Sequence, residues 1–158
     1  GKEIELNNLP AVRDHSYGMR DWGYMNRHFW LAGVSESGKA FNVSMVSYPN
    51  AAGIHAGNVF VDGKIINLED FSIKDDTVCD GLGPDELTAT LKTVDGNKLS
   101  LKGKRICETV YNLQNGAYTL REGFGEFVLD GETFRGVWEF GYNADIKKWS
   151  CYEDLSVI

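Results

Sequence analysis

Apolar and polar residues alternate along most of this chain, and that period of two predicts strands rather than helices. Residues 39–48 alternate almost without fault and stop at Pro49-Asn50, and residues 29–34 read as a strand ended by Ser35-Glu36-Ser37-Gly38. A short link closes a hairpin between those two strands. Residues 58–61 and 64–67 flank Asp62-Gly63, a dipeptide that accepts positive φ cheaply and so favours a two-residue hairpin. The same signal returns at Asp95-Gly96, Asn115-Gly116 and Asp130-Gly131. Between the turns run residues 87–92, 98–102, 106–111, 118–129 and 133–142. The expected fold is all-β, with about eight to ten antiparallel strands. A sheet of that size curls or closes, and closure removes the edges that recruit other chains.

A length of 158 residues fits one domain that buries roughly 70% of its unfolded surface. No repeat or Pro/Ser-rich linker divides it, so residues 1–158 are expected to form a single barrel domain. Its core spans about 11–142, and residues 143–158 form a tail in which Trp149 and Tyr152 dock. The net charge of −7 argues against nucleic acid as a partner, because phosphate binding needs a basic face. No apolar run approaches the ~18–20 residues of a membrane-spanning helix. Cys79, Cys107 and Cys151 lie far apart without metal-ligand spacing, the odd and sparse set of a reduced, cytoplasmic protein. Gly1-Lys2-Glu3 shows no signal peptide, and a first residue other than Met reads as a processing scar or a domain cut.

The chemistry concentrates in residues 13–22, Arg-Asp-His-Ser-Tyr-Gly-Met-Arg-Asp-Trp, followed by Asn26-Arg27-His28-Phe29-Trp30. Such groups cost free energy when buried unless they are mutually paired. Taken as an extended strand, the segment puts Arg13, His15 and Tyr17 on one face and Asp14 and Ser16 on the other. His15, with an ordinary pKa near ~6.5, is the natural proton carrier if it faces the lumen, oriented by Arg13, Asp14 and Arg20. The alternative is a polar plug of Arg–Asp pairs at the barrel mouth. Gly18 marks a bend.

His28 and His55 are further imidazole candidates, each with a core or surface role as the alternative. Trp22, Trp30 and Phe41 are candidate cavity walls. Glu122 shares a strand face with Phe124 and Glu126, directed either at a cavity or at water. Glu139 points inward if Trp138 and Phe140 point outward, opposite Arg13 or Arg20. No carboxylate sits at a recognised metal-ligand offset, no serine lies in a nucleophile elbow, and the glycines punctuate hairpins rather than phosphate loops. No cofactor is called for.

The run from Arg13 to Trp22 resembles the opening signature of the lipocalin-like carotenoid hydratase and attachment-protein superfamily, with Tyr17 in place of the commoner tryptophan. Residues 57–63 and 122–131 resemble strands and turns that follow it there, so the likeness covers roughly 11–142. The resemblance implies a calycin, lipocalin-like barrel, and members carry two in tandem, so this chain looks like one C-terminal-type half. It also implies hydratase or cyclisation chemistry on isoprenoid double bonds, with His15 or Asp14 as proton donor. The expected function is therefore a lyase or isomerase acting on an apolar small molecule. The alternatives are a barrel that binds a hydrophobic ligand unchanged, and a half-domain that packs on a second barrel or on its own copy.

Overall fold

Eight strands realise the alternation: β1 (Arg27–Ser35), β2 (Ala40–Tyr48), β3 (Ala51–Val61), β4 (Lys64–Ile73), β5 (Glu86–Thr93), β6 (Lys98–Leu113), β7 (Tyr118–Leu129) and β8 (Glu132–Asn143). The computed structural model describes residues 1–5, 7, 9, 11–73 and 83–145. Each strand pairs antiparallel with the next, and β8 pairs with β1, closing an eight-stranded barrel of calycin-like form. On β2, Phe41, Val43 and Met45 are buried and face inward, while Asn42 and Ser44 face out. Aromatic rings fill the interior: Phe41 lies 5.0 Å from Phe127, and Trp138 lies 5.6 Å from Phe127 and 5.7 Å from Phe140. The barrel is a packed core at this level, as small barrels are.

The turns follow their residues. Asp62 and Asp130 adopt φ of 51° and 47°, each followed by a glycine at positive φ, as a tight two-residue hairpin demands. Asn115, at φ 56°, sits in the 3-10 turn Gln114–Gly116 between β6 and β7. Glycine has a second use inside the barrel. A Cβ on Gly103 or Gly125 would lie 2.8 Å from the Trp138 ring, so these two positions make room for the indole.

Four expectations need correction. Residues 98–102 and 106–111 belong to one strand, because a bulge between Arg105 and Cys107 carries β6 through without a break. Residues 13–22 are no strand. Their charged side chains and Gly18, at φ 104°, offer no apolar face for a sheet to bury, and residues 11–21 are exposed. His15 therefore stands outside the barrel rather than facing its lumen. Trp138 and Phe140 point inward, so Glu139 points outward and meets neither Arg13 nor Arg20 in an ion pair. Of the tail, residues 143–145 are described. Trp149 and Tyr152 lie outside the described residues, as do Cys79 and Cys151, while Cys107 carries a free, exposed thiol. Among the described residues, no helix is long and apolar enough to cross a membrane.

Candidate functional site

Residues 14–25 lead across the outer wall to the start of β1, and backbone bonds fix where they join the barrel. Asn143, at the end of β8, donates from Nδ2 to the carbonyls of Gly23 (2.9 Å) and Met25 (2.8 Å). Gln114 accepts from the Gly23 N–H at 3.2 Å and donates to Asp21 Oδ1 at 3.0 Å. Asn26 N–H donates to the Ser47 carbonyl at 2.8 Å. The segment is thus tied to three elements although it forms no strand.

Under it, on the outward faces of β8, β1 and β2, lies a groove of about 620 Å³. Its floor carries His28 and Trp30 from β1, Asn42 and Ser44 from β2, and Glu139 from β8. Asp14, Arg20 and Asp21 form the lip contributed by the crossing segment, and Tyr24, Met25 and Tyr48 close one end. Trp30 is held in place by its Nε1–H, which donates to Asn42 Oδ1 at 2.6 Å. Tyr24 and Tyr48 stack at 5.9 Å. The groove offers aromatic faces beside carboxylates, with one imidazole between them.

The imidazole belongs to a hydrogen-bonded chain. His28 Nδ1 lies 2.7 Å from the Tyr118 hydroxyl, and its Nε2 lies 2.7 Å from Glu139 Oε1. Burial pushes the Tyr118 hydroxyl well above its usual range, and the charge of Glu139 adds to that, so the phenol keeps its proton. The Glu139 carboxylate can only accept, so in the neutral imidazole the proton sits on Nε2, and Nδ1 accepts from the phenol. The order is Tyr118 to His28 to Glu139.

Register explains how residues so far apart meet. His28 pairs with Gly141 across β1 and β8, and Gly141 pairs with Leu120 of β7. Gly141 has no side chain, so the imidazole and the phenol share the space above it. A Cβ there would lie 2.4 Å from His28 Cε1 and 2.5 Å from Tyr118 Cε1. Trp22 roofs the pair, its ring 5.4 Å from Tyr118 and 6.3 Å from His28, and the Arg20 guanidinium sits 5.3 Å above that indole. Trp22 helps keep water from the buried Tyr118 end of the chain, which strengthens the bond there.

Tyr118→Phe tests the assigned proton order. It leaves Nδ1 without its donor in a half-buried site and is expected to cost about 1–3 kcal/mol. Nitrogen-15 chemical shifts of the neutral His28 ring should report a single Nε2–H form in the wild type, and the carboxylate should keep that form in the variant. A wild type with mixed tautomers would contradict the assignment.

The structure separates the remaining candidates. Asp14, Arg20, His28 and Trp30 come together at the groove, and Trp22 packs on His28 and Tyr118 beside it. Arg13 and His15 are exposed, and His15 only leans on Tyr17, ring centres 4.4 Å apart. Phe41, expected as a cavity wall, is core, packed between Phe127 and Phe134. His55 faces the interior from β3, stacked 4.4 Å from Phe71 with Nδ1 3.1 Å from Asp70. Glu122 is exposed on the outer face of β7, in register with Glu139 but outside the groove. Tyr118 and Gly141 went unread, and Glu139 was noticed only as an inward acid. A glycine inside an otherwise apolar strand is the one sequence signal that marks the place.

Among the described residues, no group of three or more His, Cys, Asp or Glu side chains is arranged to hold a metal ion. No curated protein and no solved structure matches this chain. A family model described as a domain of unknown function, DUF7064, matches residues 1–144, a span that takes in the crossing segment and all eight strands. The chain belongs to that family.

Proposed function

We propose that the outer-wall groove binds an apolar small molecule and that Glu139, held by His28, exchanges a proton with it, making the protein a hydratase- or isomerase-type catalyst. The observation that carries this is the Tyr118–His28–Glu139 chain, whose carboxylate lines a groove walled by Trp30, Tyr24 and Tyr48. A carboxyl group half-excluded from water and fixed by an imidazole suits general acid–base work, which supplies about 10²–10⁴-fold of rate. In its acid form Glu139 gives its proton to one carbon of a double bond, and the π electrons form the new C–H bond. The neighbouring carbon, now cationic, lies against aromatic faces that favour positive charge. A carbon next to the cationic one then loses a proton to the Glu139 carboxylate, its C–H electrons forming the moved double bond, or the cation takes water, whose proton returns to Glu139. His28 and Tyr118 are positioning residues in this scheme.

The resemblance to the carotenoid hydratase superfamily supports the same reaction class, with His28 and Glu139 replacing His15 and Asp14 as the proton-handling pair. The test is deuterium incorporation into a panel of isoprenoid alcohols incubated with the protein in heavy water. The wild type is expected to label the alkene carbons, and Glu139→Gln to bind the same alcohol without labelling it. Equal labelling by both proteins would overturn the assignment. Binding without labelling by the wild type would favour the non-catalytic ligand-binding barrel.

A further inference from the structure

A second cavity, of about 670 Å³, lies on the same outer wall. Its floor is Val34 of β1, Phe124 of β7 and Val137 of β8, and Leu9 and Val12 cover it. Polar groups stand at its far rim: Thr133, Glu36 and Arg135, the last bonded to Glu126 at 3.0 Å. The two cavities follow one seam. Glu139 pairs with Trp30 in the groove, Arg135 pairs with Val34 in the second cavity, and between them Val137 pairs with Ala32. The outward step on β1 between Trp30 and Val34 is thus a single methyl group. From Glu139 along β8 to Thr133 is about 20 Å at the rise of a strand.

We infer that the ligand is an elongated chain molecule lying along the β8–β1 seam, with its reacting end at Glu139 and an apolar tail over Val137 and Val34. This rests on the groove being the binding site, and it adds the shape and class of what is bound. Three observations favour a chain over a compact ligand or a protein surface. One wall holds both cavities, with a low step between them. Polarity varies along the wall, with carboxylates and an imidazole at one end, valines and a phenylalanine in the middle, and Thr133, Glu36 and Arg135 at the far rim. The same N-terminal segment lines both, Leu9 and Val12 at one and Asp14, Arg20 and Tyr24 at the other, so each is bounded by that segment as well as by the sheet.

Calorimetric titration of prenol, geraniol, farnesol and geranylgeraniol tests it. Affinity is expected to rise by at least about tenfold per added isoprene unit up to farnesol, because each unit buries several more methylenes, and then to level off where the wall ends. Val137→Arg should lower farnesol affinity by at least about tenfold and leave prenol affinity unchanged. Val34→Arg, on the opposite strand, should do the same and serves if the first variant fails to fold. Affinity independent of chain length in the wild type, or an unchanged dependence in a folded variant, would overturn the proposal. Deuterium labelling of prenol reads the Glu139 chemistry separately. Length-dependent binding without labelling would remove the proton transfer and leave the track standing.

Discussion

Truncating Trp138 to alanine is expected to cost about 3–5 kcal/mol, the range for removing a large buried aromatic. The indole is 1% exposed and lies against Phe127 and Phe140 in the middle of the barrel. Gly103 and Gly125 leave the space it occupies, and neither can extend a side chain into the void left behind. A barrel wall closed by eight paired strands is also poorly placed to collapse. Most domains have only about 5–15 kcal/mol in hand, so the variant should unfold at far lower urea than the wild type. The reverse change, Gly125→Ala, puts a methyl 2.8 Å from the same ring and should cost less, about 1–3 kcal/mol. A Trp138→Ala loss below about 1 kcal/mol would mean that the indole is not the centre of the core.

Gly141→Ala is expected to disable the site with a smaller effect on the fold. The new methyl would fall 2.4–2.5 Å from His28 and Tyr118, distances that real contacts do not reach. The backbone of β8 is paired on both sides, with β1 and β7, so the two side chains must move instead. The imidazole then loses its 2.7 Å bonds to Tyr118 and Glu139. Stability should fall by about 1–3 kcal/mol, the cost of overpacking a tight site. Deuterium labelling should fall well below that of the wild type, while circular dichroism stays that of a β-protein. Full labelling by a folded Gly141→Ala protein would show that the hydrogen-bonded chain does no positioning.

The barrel was legible because its evidence is local. Alternation over 39–48 sets which side of β2 faces in, and Asp62-Gly63 and Asp130-Gly131 set two of the hairpins. The bulge at Arg105 and Cys107 was not legible, since nothing in Lys104-Arg105-Ile106 distinguishes a strand that bends from one that ends. The phase of β8 was misread for a related reason. Trp138, Glu139 and Phe140 alternate whichever way they face, and only burial of the two rings in a closed barrel turns the acid outward.

The candidate site was half legible. The density of charge and aromatic residues in 13–30 covers the stretch from which Asp14, Arg20, His28 and Trp30 reach one groove. It singled out His15, the imidazole surrounded by charge in sequence, whereas His28 is the one surrounded in space. His28 and Glu139 are 111 positions apart, and their meeting depends on the β1–β8 register that closes the barrel. Register across the first and last strands is fixed by the whole sheet, so no segment of sequence displays it.

The central claim is that this protein works on the outside of its barrel, along the wall of β8 and β1, rather than in its lumen. Titrating farnesol into isotope-labelled protein and following the nitrogen–proton spectrum tests that most directly. The expected result is a set of perturbed signals at the Trp30 indole, His28, Glu139, Val137 and Val34, with Phe41, His55 and Phe71 unchanged. Perturbation centred on Phe41, His55 and Phe71, or a spectrum that does not respond at all, would contradict it.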